Sequence, residues 1–153
     1  MTTAPLTSRL GYLLKHTHLR FTEASARALE PFGVDGRQLA VLAVLAADRP
    51  LSQMEAASRI GVDRTTMVAL VDALEDKGLV ARRRSAEDRR RNTVAPTAHG
   101  QEVLRRAEQA RAEAERRFLA DLSEADAERF LGALRTLAGV AEAEKEQDGP
   151  AAR

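Results

Sequence analysis

Ser52-Gln53-Met54-Glu55, Ile60-Gly61-Val62-Asp63-Arg64-Thr65-Thr66-Met67 and Asp76-Lys77-Gly78-Leu79-Val80 follow one another within a single stretch, and their reading decides the fold. The first is a capping box, S-x-x-E, in which a serine hydroxyl and a glutamate carboxylate satisfy free amides at a helix start. Gly61 stops that short helix, and Asp63 caps the next. In the second helix Met67, Leu70, Val71 and Leu74 share an inward stripe at i, i+3, i+4 and i+7. Gly78 closes it as a residue suited to the left-handed conformation. Two short helices joined through Ile60-Gly61-Val62-Asp63 have the form of a helix-turn-helix.

Immediately beyond lies Arg82-Arg83-Arg84-Ser85-Ala86-Glu87-Asp88-Arg89-Arg90-Arg91. Six arginines face two acids here, a local charge of +4 in a chain whose formal net charge is +1. Charge segregated in this way makes a local binding surface. Val80 to Arg84 and Arg91 to Ala95 are expected to pair as strands around a loop at Ser85 to Arg90. The cluster then becomes a basic hairpin beside a candidate DNA-reading helix.

Working outward, Leu6 to about Glu30 carries apolar residues at helical spacing (Leu6, Leu10, Leu13, Leu14, Phe21, Ala24, Ala28) until Pro31 and Gly33. Asp35 and Gln38 form a second capping pair ahead of an apolar helix, Leu39 to Ala46, expected to be buried and central. Asp48-Arg49-Pro50 ends it. After the hairpin, Thr97 caps a long helix to about Asp121, with Val103, Leu104, Ala107, Ala110, Ala114 and Phe118 inward. Ser123 opens a last helix with Phe130, Leu131, Leu134, Leu137 and Ala141 on one face. Met1 to Pro5 and Glu146 to Arg153 read as tails. The fold class is mainly α with a small β-hairpin. The terminal stripes exceed what the compact middle can cover. They pack on each other within one chain, or on the same helices of a second copy; a two-fold dimer is the expectation, since a DNA reader of this size needs two half-sites.

Composition excludes several function classes. No cysteine is present among 153 residues, which removes disulfides, thiolate metal sites and cysteine chemistry. The core must be aliphatic, because aromatics are confined to four Phe and one Tyr. No segment approaches the ~18 apolar residues of a membrane helix, so no membrane partner and a cytoplasmic location are expected. His16 and His18 lie two apart and so face different sides of a helix, which rules out an i, i+4 metal pair. No nucleophile elbow, phosphate-binding glycine loop or H-E-x-x-H occurs. No cofactor, metal or catalytic residue is expected, and the protein is read as a non-enzyme.

The stretch Val62 to Val80, the Asp88-Arg89-Arg90 triplet and Thr97-Ala98-His99-Gly100 together resemble the MarR family of transcriptional regulators. They match its recognition helix, its D-x-R wing signature and the T-x-x-G that opens the helix after the wing. The likeness runs from about Leu6 to Glu144. It implies a winged helix-turn-helix lobe at 35–96 flanked by dimerisation helices at 6–34 and 97–146. It further implies a homodimeric repressor of an inverted-repeat operator on double-stranded DNA. Two departures stand out. Val68-Ala69 occupies a place where the family often has a hydroxyl residue and an arginine. Pro96 replaces a common leucine, and proline belongs at a strand end or edge.

The site residues follow from chemistry. Arg64 is suited to bidentate guanine recognition, Thr65 and Thr66 to base edges or phosphate, and Val68 to a thymine methyl. Thr65 and Thr66 serve equally well in local bonding at the helix start. Arg90 is the expected minor-groove reader, and Arg82, Arg83, Arg84, Arg89 and Arg91 the expected phosphate contacts, of which strand alternation turns some away. The resemblance makes Asp88 a brace for a wing arginine. It also implies release of DNA by a small aromatic or anionic ligand. Tyr12, His16 and Arg20, which share a helix face, with Arg37 and Gln38, are the candidates to line that site. The plainer reading of the same residues is a polar helix face in solvent or at a dimer seam, since periodicity does not separate the two. The alternative function is a winged-helix protein-interaction module without specific DNA binding.

Overall fold

The computed structural model describes residues 5–47, 51–84 and 92–140. Apart from the first, the α-helices start where a side chain satisfies a loose backbone amide. After a 3-10 turn at Leu6–Ser8, helix α1 spans Leu10–Leu29 and passes into a second 3-10 turn, Glu30–Phe32. Helix α2 (Gly36–Leu45) opens on the Asp35–Gln38 capping box, with Gln38 N donating to Asp35 at 2.8 Å and Asp35 N to Gln38 at 3.3 Å. Helix α3 (Gln53–Ile60) opens on the Ser52–Glu55 box, at 3.3 and 2.8 Å. Both boxes were legible in the sequence.

Helix α4 (Arg64–Asp76) follows α3 after a three-residue link. Gly61 takes φ +75° there, and its amide and that of Val62 both donate to the Ala57 carbonyl, at 2.9 and 3.1 Å. A side chain is strained at that φ, whereas glycine adopts it freely. Helix α5 spans Ala98–Phe118 and α6 spans Glu124–Ala138.

Three strands form one antiparallel sheet in the order β1-β3-β2: Leu51–Ser52, Asn92–Pro96 and Val80–Arg84. The expected hairpin is present, displaced by one residue on its second strand, with Val80 opposite Pro96 and Arg84 opposite Asn92. Pro96 is the last strand residue, and β1 pairs only as far as Val94, so its missing N–H breaks no ladder there. Strand β1 is an addition to the sequence reading. Ser52 serves both as a strand residue opposite Thr93 and as the cap of α3.

The chain divides within α5 into two compact units, Met1–Glu115 and Arg116–Arg153. In the first, the core joins Leu39, Val41, Leu42 and Leu45 of α2 to Ala56 and Ala57 of α3 and Met67, Val71 and Leu74 of α4. Leu79, Val80 and Val94 close it from the sheet side. Leu29 and Val34 from one flank, and Val103 and Ala107 from the other, complete it. Helix α2 is central but not apolar-buried all round, since Ala40 and Ala43 are exposed. Elsewhere large apolar side chains stay uncovered: Leu6, Leu10, Leu13, Leu14 and Leu19 in the first unit. In the second, Leu122, Phe130, Leu131, Leu137 and Val140 are exposed, and α6 buries no residue.

The T-x-x-G element has a steric explanation. Thr97 N donates to the Leu79 carbonyl at 3.0 Å, and the Thr97 hydroxyl donates to the Gly78 carbonyl at 2.6 Å. That hydroxyl also accepts from Gly100 N at 3.0 Å. Helix α5 is thereby drawn onto the end of α4 so closely that a Cβ on Gly100 would lie 1.8 Å from the Leu79 oxygen. Backbone cannot yield as a flexible side chain can. Gly100→Ala is expected to lower stability by about 1–3 kcal/mol or more in urea unfolding. Gly36→Ala, facing open space, should be near neutral. Equal stability of the two variants would contradict the close approach.

Candidate nucleic-acid interface

Helix α4 presents its N-terminal turn outward because its other face is committed to the core through Met67, Val71 and Leu74. Asp63 accepts from Thr66 N at 2.9 Å and from the Thr66 hydroxyl at 2.7 Å. These bonds, the hydroxyl's first, hold the Asp63 carboxyl below its ordinary range. The Thr66 side chain is thus engaged at the helix start. Arg64 and Thr65 are exposed, and Val68 is half-buried. The first turn therefore offers the Arg64 guanidinium, the Thr65 hydroxyl and the positive end of the helix dipole to an approaching anion or base edge.

Strand β2 runs away from the far end of α4. Arg83 and Arg84 are exposed on it, but Arg82 is not free as expected for a phosphate contact. Its Nη1 donates to Glu75 and its Nη2 to Asp72, both on α4. Its backbone N–H donates to the other Glu75 oxygen at 3.3 Å. With its amide oxygen turned toward the guanidinium, Gln53 of α3 accepts from Nε at 3.3 Å and Nη2 at 3.1 Å. The bond donated to Asp72, ahead of the charges of Glu75 and Asp72, keeps the guanidinium even more firmly protonated than usual. The physical reason for the difference is local: carboxylates at positions 72 and 75, one helical turn apart, face the first half of β2. Asp88, Arg89, Arg90 and Arg91 lie outside the described residues. Among the described residues it is α4 that braces a wing arginine, Arg82.

The residues proposed for an effector lie on α1 and at the start of α2. On α1 the rings of Tyr12 and His16 meet, centroids 4.0 Å apart and tilted by 34°. Arg20 and Arg37 are exposed. Gln38 is already occupied. Its side-chain oxygen accepts from Asp35 N in the capping box and from Lys77 Nζ at 2.9 Å. Lys77 Nζ also donates to the Gly33 carbonyl at 2.6 Å, tying the C-terminus of α4 to the turn before α2. Sequence reasoning passed over Gln53, Asp72, Glu75 and Lys77. The i, i+3 carboxylates followed by an arginine were the only sign available. No described helix is long and apolar enough to cross a membrane.

A helix-turn-helix whose second helix exposes Arg64 and Thr65, followed by an arginine-bearing antiparallel wing, defines a winged-helix protein of the DNA-binding class. The MarR family model matches residues 32–91. Over 133 residues, 86% of this chain and 80% of the relative, the sequence is 34% identical to a putative transcriptional regulatory protein for the hcr operon of Thauera aromatica. The fold is similar to the transcriptional repressor CouR bound to a 23-mer DNA duplex, with TM-score 0.80 and 34% identity over 90% of this chain and 98% of that one. It is also similar to CouR of Rhodococcus jostii RHA1 bound to p-coumaroyl-CoA, with TM-score 0.72 and 29% identity, covering 89% and 96% of the two chains. The chain belongs to the MarR family of DNA-binding transcriptional regulators.

The Asp63 cap yields a test with a definite sign. The depressed carboxyl stabilises α4 above its unfolded-state value, near 3.8, and loses that contribution as pH falls through the folded value. Asp63→Ala should lower the urea midpoint at neutral pH. The gap to wild type should close as the solution is acidified below the ordinary carboxylate range. A gap that persists into strong acid would count against the cap.

Proposed function

We propose that the protein is a homodimeric repressor that binds an inverted-repeat operator and is released by a small aromatic or anionic ligand. The carrying observation is the exposed N-terminal turn of α4, with Arg64 and Thr65 uncommitted, next to a strand bearing exposed Arg83 and Arg84. In this reading α4 enters the major groove. Arg64 forks onto a guanine, Thr65 reaches a base edge or phosphate, and Val68 touches a thymine methyl. Thr66 contributes by fixing the helix start. The wing carries Arg90 into an adjacent narrow minor groove, while Arg83, Arg84, Arg89 and Arg91 hold phosphates. The similarity to a repressor bound to a 23-mer DNA duplex supports this reading.

A second copy accounts for the uncovered leucines of α1 and the uncovered stripe of α6. Each exposes more large apolar side chains than a soluble surface needs. Two-fold pairing would place two α4 helices on one face and so match an inverted repeat. The effector reading rests on the Tyr12–His16 ring pair with Arg20 and Arg37 as cations for a carboxylate or phosphate. The likeness to a CouR that binds p-coumaroyl-CoA supports it. Such a ligand acts only by favouring the arrangement that cannot hold DNA. A regulator of this kind works on the chromosome in the cytoplasm and catalyses nothing.

Selection from a random duplex library should recover an inverted repeat, with half-sites about one helical turn apart. Arg90→Ala should abolish most of the affinity for that duplex and leave the dimer intact by sedimentation. Arg64→Ala should relax preference at one base of each half-site by about 1–3 kcal/mol. Recovery of no consensus, together with capture of a protein partner, would replace this reading with a protein-interaction module. For the effector, p-coumaroyl-CoA and an aromatic carboxylate should weaken binding of the selected duplex, and Arg20→Ala should blunt the effect. Unchanged affinity at saturating concentrations of both would remove this ligand class.

A further inference from the structure

We propose that Arg82 is a positioning residue and not a DNA contact: its guanidinium, spread over Asp72, Glu75 and Gln53, fixes the wing to the recognition helix and sets the spacing at which the two meet adjacent grooves. This inference rests on the DNA-binding reading above and adds to it a determinant of specificity.

Three elements converge on this one side chain. Nη1 reaches Glu75 and Nη2 reaches Asp72 on α4, Nε and Nη2 reach Gln53 at the first position of α3, and Arg82 itself belongs to β2. Its main-chain N–H is held as well, by the second Glu75 oxygen. Both the backbone and the side chain of one strand residue are therefore referred to α4. Across the sheet Arg82 stands opposite Val94, a fully buried residue that in turn faces Leu51 of β1. Directly opposed residues share a face of the sheet, so Arg82 projects beside the buried Val94 toward α4, and core packing and ion pairs hold this point on the strand from the same side.

The electrostatics argue against a phosphate contact. Two carboxylates surround one guanidinium, so the cluster carries a net negative charge where a phosphate would have to approach. The Arg82 side chain retains 30% of its exposure, against 55% for Asp72 and 38% for Glu75, so the acids shield the cation and not the reverse. An ordinary exposed ion pair would be weak. Here the planar fork meets two acceptors from one helix and a third from another, a geometry that a lysine point charge cannot reproduce. The wing's remaining arginines do not share this arrangement among the described residues: Arg83 and Arg84 are exposed.

A strut and a restrained phosphate anchor respond oppositely to removal of the acids. The double variant Asp72→Asn, Glu75→Gln deletes two negative charges from a DNA-binding lobe. If Arg82 were an anchor held back by them, its release would tighten binding to every duplex and steepen the salt dependence. If it is a strut, binding to the selected duplex weakens while binding to an unrelated duplex holds or rises. The expected preference for the selected duplex then falls about tenfold, the scale of one lost specific contact.

Arg82→Lys keeps the charge and loses the fork, so it should reduce the preference similarly. Its salt slope should match wild type, because the charge is kept and only the fork is lost. Thermal unfolding establishes that each variant is folded, and Arg82→Lys decides the matter if the double variant is not. Wild-type preference in Arg82→Lys, or tighter binding to both duplexes by the double variant, would overturn the strut. A wild-type protein with no preference for any duplex would instead overturn the DNA-binding reading, and the strut with it.

Discussion

The close approach of α5 to the end of α4 is the constraint on which the remaining arrangement depends. Leu79 offers its carbonyl to Thr97 N, and Gly100 sits where a Cβ would strike that oxygen. The Thr97 hydroxyl bridges the Gly78 carbonyl and the Gly100 amide, so a single side chain closes two chain ends. At this junction the recognition helix ends, the first wing strand begins and the second wing strand finishes, with Val80 paired to Pro96. Any shift here moves α4, the wing and the start of α5 together. A threonine and a glycine three residues apart thus fix the relation between the reading helix and the wing at its base, and Arg82 fixes it farther out.

The arginines of the wing are chemically alike but structurally distinct. Arg82 spends its charge inside the protein on Asp72 and Glu75. Arg83 and Arg84 keep theirs at the surface. A like separation appears on α4. Thr65, Ala69, Asp72 and Asp76 are all exposed, so the acids belong to the later turns and the first turn keeps Arg64. On the proposed reading the negative later turns help orient the helix, because only its N-terminal end can approach phosphate without repulsion. Lys77 secures the opposite end by bonding to Gly33 and Gln38, which anchors α4 to the turn preceding α2.

Much of this was legible in the sequence because the signals were local. Capping pairs such as Asp35–Gln38 and Ser52–Glu55 act over three residues, and a glycine stop such as Gly61 acts on its own φ. The aliphatic stripe of α4 appears intact in the core. What escaped was not local. Strand β1 has two residues, too few for any alternation, and exists because Leu51 pairs with Val94 far along the chain. The capture of Arg82 needs acids seven and ten positions earlier on a different element. Thr66 could have read DNA or capped its helix, and only the folded chain shows its hydroxyl on Asp63. Gln38 was correctly read as a capping partner, which leaves its oxygen with two donors already. The leucines of α1 and α6 were recognised as apolar faces, yet periodicity does not say what covers them.

On the proposed reading α4 occupies a major groove while the wing occupies a neighbouring minor groove. Dimethyl sulfate footprinting on the selected duplex reads both at once, since it modifies guanine N7 in the major groove and adenine N3 in the minor groove. Protection of a guanine N7 in each half-site is expected, flanked on the outside by protected adenine N3 positions, in a two-fold symmetric pattern. Minor-groove protection without any N7 protection, or a single asymmetric footprint, would contradict it.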